Sequence, residues 1–171
     1  MIAIFADTHS HTGHELEGAA LEAAQRAEAV VHAGDFTSLP ALEAFRDVSS
    51  VLFPVHGNAD DRTVREALPT VRIVDHDSLR IAVTHRRDGG DVALAMFGRS
   101  READIVVSAH THRPRLERTD DVLLVNPGSH AQPRGNRPGF GTIESTDNGY
   151  RIALQEPDGT PIESARLKLD S

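Results

Sequence analysis

Two stretches decide how this chain folds: Ile2-Ala3-Ile4-Phe5-Ala6-Asp7-Thr8-His9 and Ala29-Val30-Val31-His32-Ala33-Gly34-Asp35. Each is a short apolar run that ends abruptly on polar residues. Runs of this length read as buried strands, Ile2–Ala6 and Ala29–Ala33. Between them, Glu15–Ala27 carries Leu16, Ala19, Ala20, Ala23 and Ala24 at helical spacing. Strand, helix, strand implies a parallel crossover unit. The pattern continues outward. Pro40–Asp47 reads as a helix with Pro40 in its first turn, where a missing N–H costs little. Val51–Val55 reads as a strand, and Asp60–Leu68 as a helix that Asp60 can cap and Pro69 ends.

The second half changes character. Val71–Asp75 and Leu79–Thr84 flank His-Asp-Ser as a hairpin. Asp91–Arg101 reads as a helix and Asp104–Val107 as a strand. Arg115–Arg118 and Val122–Val125 flank Thr-Asp-Asp, and Phe140–Ser145 and Tyr150–Glu156 flank Asp-Asn-Gly, a strong turn signal. The last residues are expected to add an edge strand. The sum is a mixed α/β protein with two packed sheets and helices outside, expected to form one domain over residues 1–171.

Composition narrows the function. The chain has no cysteine, so any metal must be held by His, Asp, Glu or Asn, a set that suits Mn, Ni, Fe or Zn. The formal net charge is −8, a poor basis for general nucleic-acid binding, which usually needs a basic face. No apolar run reaches membrane-spanning length, and the N-terminal run is too short for a signal peptide. A cytoplasmic protein is therefore expected. Of 18 basic residues only Lys168 is lysine, which fits codon bias or a salt-adapted source. Ten histidines are the oddity.

Five predicted strands each run into a metal-competent group. Ile2–Ala6 leads to Asp7-Thr8-His9, and Ala29–Ala33 to Gly34-Asp35. Val51–Val55 leads to His56-Gly57-Asn58-Ala59-Asp60. Leu79–Val83 leads to Thr84-His85, and Asp104–Val107 to Ser108-Ala109-His110-Thr111-His112. Ligands of α/β sheets bind beyond the carboxyl ends of strands. If these strands lie in one sheet, two Asp, one Asn and four His converge at one rim. Carboxylate and amide oxygens beside imidazoles suit divalent cations. Residues two apart on an extended segment face the same side, so Asp7/His9 and His110/His112 can each grip one metal or two adjacent ones. Gly34 and Gly57 let the backbone come close to such a cluster.

The ordered series Asp7-x-His9, Gly34-Asp35, Gly57-Asn58-x-Asp60, His85 and His110-x-His112 resembles the calcineurin-like metallophosphoesterase superfamily. Size, the Asn58-Ala59-Asp60 form and Asn126-Pro127-Gly128-Ser129 look most like its small archaeal and bacterial phosphodiesterase branch. The resemblance spans Ile2 to about Arg134. It implies a four-layered α/β/β/α sandwich of two mixed sheets flanked by helices. It also implies two divalent cations, with Mn²⁺ favoured and Ni²⁺, Zn²⁺ or Fe as alternatives. By resemblance, Asp7, His9 and His112 bind the first cation, Asp35 bridges both, and Asn58, His85 and His110 bind the second. The implied reaction is hydrolysis of a small phosphodiester by a metal-bridging hydroxide, with Asp35 and Asn58 in catalytic positions.

Two departures stand out. The family often has His at position 59, where it aids the leaving group; Ala59 has no proton to give. That proton must come from water or from elsewhere, with His11 as the candidate. Arg86-Arg87 follows His85 where the family usually has Gly, and is read either as a phosphate contact or as a solvated loop. Of the other histidines, His32 is read as packed, His76 as solvated in a turn, and His56 as supporting the site. His130 is read as structural. Arg134 and Arg137 are read as reaching the site or as an exposed loop, and Asp60 as ordering its loop or capping a helix. The alternative to an enzyme is a non-catalytic interaction scaffold, because a retromer subunit of eukaryotes resembles this fold. A nuclease ranks below both. A homodimer is the default assembly.

Overall fold

The computed structural model describes residues 1–168. Among the described residues, eleven strands form two sheets. The first contains β1 (Ile2–Phe5), β2 (Ala29–His32), β3 (Leu52–Pro54), β9 (Phe140–Thr146), β10 (Gly149–Gln155) and β11 (Pro161–Leu167), in the order β11-β10-β9-β1-β2-β3. β1, β2 and β3 run parallel, as the crossover reading expects, and β9–β11 add antiparallel neighbours. The second contains β4 (Val71–His76), β5 (Leu79–Thr84), β6 (Ile105–Val107), β7 (Arg115–Arg118) and β8 (Leu123–Asn126), in the order β4-β5-β6-β8-β7. Here β5, β6 and β8 are parallel, with antiparallel hairpin partners at both edges. β11 is the expected edge strand. The turn before β5 is shorter than expected, because His76 still pairs with Leu79.

The layers follow from which face of each strand is apolar. Ile2, Ile4, Val31, Ile143 and Ile152 of the first sheet meet Ile81, Ile105, Val107, Leu123 and Val125 of the second in a core between the sheets. The alternate residues Ala3, Phe5 and Val30 face outward and are covered by α1 (Gly18–Arg26), α2 (Leu39–Val48) and α3 (Arg62–Ala67). Ala82, Val106 and Leu124 face outward from the second sheet, under α4 (Gly90–Arg99). The result is the expected α/β/β/α sandwich. Because both faces of β1 and β2 are buried, β1 is an uninterrupted apolar run and β2 is broken only by the fully buried His32.

Helix boundaries differ from the sequence reading where side chains compete for the backbone. α1 begins at Gly18 rather than Glu15. Glu15 has φ +56° and its carboxylate accepts bonds from the Ser10 and Thr12 hydroxyls. Ser38 caps α2 by accepting the Ala41 N–H. α3 is capped by Asp61, not Asp60: Asp61 Oδ1 accepts the Val64 N–H at 2.9 Å. The Asp60 carboxylate is drawn instead into the loops of the candidate site.

Candidate metal centre

The five strands that end on metal-competent groups do not share a sheet. β1, β2 and β3 belong to one and β5 and β6 to the other. Their ends meet because the sheets stack and share a rim. Two bonds tie the sheets there: His85 Nδ1 donates to the Ala33 carbonyl at 2.8 Å, and the His110 N–H donates to Asp7 Oδ2 at 2.9 Å.

The Asp-x-His and His-x-His pairs also meet differently from expectation. They are not extended. Asp7, His9, Asp35, His110 and His112 have φ of +52°, +46°, +60°, +78° and +57°. This left-handed region is uncommon for residues other than Gly, and Asp and His enter it more readily than most. After β1, β2 and β6 this backbone presents the side chains to the rim. Strain of this kind, of order 1–3 kcal/mol per residue, clusters at functional sites.

All seven residues singled out as ligands converge. Ligand atoms of Asp7, His9 and His112 lie within 4.8 Å of one another, and so do those of Asp35, His85 and His110. Asn58 Oδ1 lies 2.9 Å from both His85 Nε2 and His110 Nδ1, which adds it to the second group. Asp35 Oδ2 stands between the groups, 3.3 Å from His9 Nε2 and 3.3 Å from His85 Nε2. Asp7 Oδ1 and His9 Nε2 are two of the four buried side-chain atoms that, among the described residues, have no hydrogen-bond partner. Leaving such atoms unpaired is costly, and both belong to the first group. Converging lone pairs with no protein donor between them fit a cation there, and the hard and borderline donor set fits a divalent one.

The imidazoles are held from behind. His85 uses Nδ1 on the Ala33 carbonyl, and His112 uses Nδ1 on the Gln132 carbonyl. Each bond fixes the tautomer that leaves Nε2 bare toward the site, as is usual for metal-binding His. Sequence reading did not single out these carbonyls, and backbone acceptors carry no residue signature. Ser129 Oγ donates to the Asp7 carbonyl at 2.6 Å, so the Asn126–Ser129 segment braces the first strand end.

Glycine is required at two places for steric reasons. A Cβ on Gly57 would sit 2.1 Å from Asp35 Oδ1, and one on Gly34, whose φ is +94°, would sit 2.7 Å from the Gly57 nitrogen. Gly57→Ala is therefore expected to displace the Asp35 carboxylate and weaken metal binding by about 10–100-fold, the loss typical of disturbed supporting contacts. Calorimetric titration with Mn²⁺ reads this. Affinity within about twofold of the parent would show that the cluster tolerates the shift.

Charge within the cluster is balanced. Burial, aided by the neighbouring Asp35, pushes the metal-free Asp7 carboxyl up to about 6. Burial also disfavours the Asp35 anion, but the facing imidazoles of His85 and His9 outweigh it and hold the carboxyl well below the usual range. Conversely, burial alone would lower His85, yet Asp35 lifts it above its ordinary value. Desolvation keeps His110 and His112 below theirs. At low pH a cation must therefore displace the proton from Asp7. Below about pH 6 Asp7 holds its proton, so metal affinity falls as pH falls, by up to about tenfold per unit. Calorimetry of the metal-free protein in two buffers of different ionisation enthalpy should show proton release. A pH-independent affinity would contradict this.

The remaining singled-out residues separate by location. His11 is exposed and lines a cleft of about 530 Å³ with His9, Ser10 and Gln132. His32 is fully buried, lies 2.9 Å from Thr8 Oγ1 and stacks on Phe36. Burial keeps its pKa well below the ordinary value. His130 is buried against Phe5 and Phe45, with Nε2 donating to the His14 carbonyl. His76 is half-buried at the end of β4, 3.6 Å from Glu28, rather than solvated in a turn. His56 is half-buried, its Nδ1 3.3 Å from its neighbour's carbonyl at Gly57. Arg87 lies over the Phe97 ring, while Arg86 reaches within 3.5 Å of His110 Nε2. Arg137 pairs with Glu156, away from the cluster.

The Asp60 carboxylate accepts N–H groups from Asp35 (3.0 Å), Thr37 (2.7 Å) and Gly57 (2.7 Å). It orders the two loops that deliver Asp35 and Asn58.

Known proteins resemble this chain. A probable metallophosphoesterase of Methanocaldococcus jannaschii is 31% identical over 143 residues, covering 78% of this chain and 70% of the relative. A phosphodiesterase of the same organism is 28% identical over 166 residues, covering 91% of this chain and 99% of the relative. Among solved structures, Zn²⁺-complexed Vps29 from Entamoeba histolytica superposes with a TM-score of 0.78 at 20% identity, covering 98% of each chain, a likeness of fold. The model of the calcineurin-like phosphoesterase superfamily domain matches residues 1–148, a span that holds every residue converging at the rim, and the chain belongs to that superfamily.

Proposed function

We propose that the protein is a dimetal-dependent phosphodiesterase acting on a small substrate. The observation that carries this reading is the single Asp35 carboxylate oxygen 3.3 Å from an imidazole of each ligand group. In this reading Asp7, His9 and His112 hold one cation, Asn58, His85 and His110 the other, and Asp35 both. A pair of divalent cations, when bound, neutralises charge on a phosphoryl group and lowers the pKa of water, Mn²⁺ being the favoured ion. The chain supplies the rest. The Ala33 and Gln132 carbonyls hold His85 and His112 in place. Ala59 donates its N–H to Asp35 Oδ1 at 2.8 Å and so aims the carboxylate.

Position 59 offers no acid, so the departing oxygen takes its proton from water or from an exposed group near the rim. His11, in the cleft beside His9, is that group in this reading. His11→Ala is expected to slow cleavage of alkyl diesters by about 10²-fold, while p-nitrophenyl esters, whose leaving group needs no proton, change little. Equal losses on both substrates would remove His11 from that role.

The first test adds Mn²⁺, Ni²⁺, Zn²⁺ or Mg²⁺ back to metal-stripped protein and follows bis-p-nitrophenyl phosphate and p-nitrophenyl phosphate. Metal-dependent cleavage favouring the diester, with two ions bound per chain, is the expected result. A folded, inactive protein would favour the scaffold reading, for which the Vps29 likeness is the precedent.

A further inference from the structure

Beside the ligand groups lies a cavity of about 500 Å³ that the reaction as described does not use. His110 and Ala109 form its wall toward the candidate centre, Leu94 of α4 and Leu124 of β8 give it apolar surface, and Ser108 and Asn126 contribute polar groups. Its size is that of a small-molecule subsite.

Its arginines are already engaged, two by carboxylates and one by an aromatic ring. Arg86 donates to Asp88 at 2.8 Å, Arg115 to Asp91 at 2.9 Å and to Glu117 at 3.3 Å, and Arg87 rests 4.2 Å over Phe97. Three Arg face three carboxylates, so the lining is electroneutral. A second phosphate would gain little from arginines already engaged. An uncharged organic group would bury apolar surface against Leu94 and Leu124 at no electrostatic cost. Asn126 is itself committed, donating to the Ala109 carbonyl and Thr111 Oγ1 and accepting the Gly128 N–H. It therefore stiffens the wall rather than binding.

In an in-line displacement the departing oxygen leaves opposite the attacking one. The retained ester oxygen stays in the plane between them, and its arm extends sideways. The cavity borders the second ligand group at His110 and so is open to that arm. Resting on the phosphodiesterase reading, we infer that this cavity binds the retained arm of the diester and selects substrates in which it is an uncharged, ring-bearing organic group.

The test uses Leu94→Trp, which fills the cavity from a half-buried position outside the ligand set, with Leu94→Ala as a second variant that enlarges it. Bis-p-nitrophenyl phosphate and methyl p-nitrophenyl phosphate share a leaving group and differ in the retained arm. In Leu94→Trp the ratio of their kcat/KM values should fall about tenfold from that of the parent, with the methyl ester changed less than about twofold. In parallel, methyl NMR of the metal-free protein should show Leu124 responding to phenyl phosphate but not to inorganic phosphate, and this response should vanish in Leu94→Trp. An unchanged ratio in both variants overturns the inference, as does a Leu124 signal that responds to both phosphates alike or to neither. Should the parent cleave no ester at all, the phosphodiesterase reading fails separately, and the NMR titration still decides whether the cavity takes a ring.

Discussion

Asp35→Asn is expected to lower turnover of bis-p-nitrophenyl phosphate by about 10³-fold or more while leaving the fold intact. The carboxylate is buried, and one of its oxygens is equidistant from His9 and His85. Losing its charge removes the anion that balances both ligand groups. The several kcal/mol that metal-ion catalysis contributes correspond to about 10³-fold at 1.36 kcal/mol per decade. The amide can still accept the Ala59 N–H, so the loop has reason to keep its shape. The variant should also bind fewer than two ions per chain, read by metal analysis after gel filtration. Activity within about tenfold of the parent would mean that Asp35 does not link the groups.

The second large effect is on stability. Asp60 is fully buried and its carboxylate accepts three backbone N–H groups from two loops. Burial raises its pKa above the ordinary value, and the N–H bonds only partly offset that. In Asp60→Ala all three donors lose their acceptor. At about 1–3 kcal/mol per unsatisfied buried group, and allowing for relaxation, the loss should be about 3–6 kcal/mol. Urea unfolding of the metal-free protein measures it. Asp60→Asn keeps one oxygen and should lose less. A loss below about 1 kcal/mol in the Ala variant would show that these loops hold themselves in place. Any fall in activity should then exceed that of an equally destabilising change remote from the rim, because Asp60 orders the loops carrying Asp35 and Asn58.

The two predictions differ in how far the sequence alone supports them. Asp35 was singled out from the chain because it follows an apolar run and a glycine, and runs of four to six apolar residues are readable locally. The same holds for the ligand series as a whole, since each member follows a strand. For Asp60 the chain leaves two roles open, ordering its loop or capping a helix, and the structure takes the first. Its neighbour Asp61 is equally suited to capping, and only the packing of the β2 and β3 loops decides which carboxylate turns inward.

What the sequence determined by itself was the class of fold, the alternation of parallel strands with helices, and the residue types at each strand end. These follow from local hydrophobic period and turn chemistry, which act over a few residues. Tertiary structure decided how the strand ends meet. The five strands belong to two sheets, joined at the rim by the His85–Ala33 and His110–Asp7 bonds across 52 and 103 residues of chain. It also set the left-handed backbone at Asp35 and at the Asp7/His9 and His110/His112 pairs, which sequence alone reads as extended. Such conformations are unfavourable in isolation, and long-range bonds such as those from Ser129 to Asp7 and from His112 to the Gln132 carbonyl accompany them in the folded chain. The cavity beside His110 is likewise invisible in sequence, because its walls come from α4, β8 and the β6 loop, which become neighbours only when the second sheet forms.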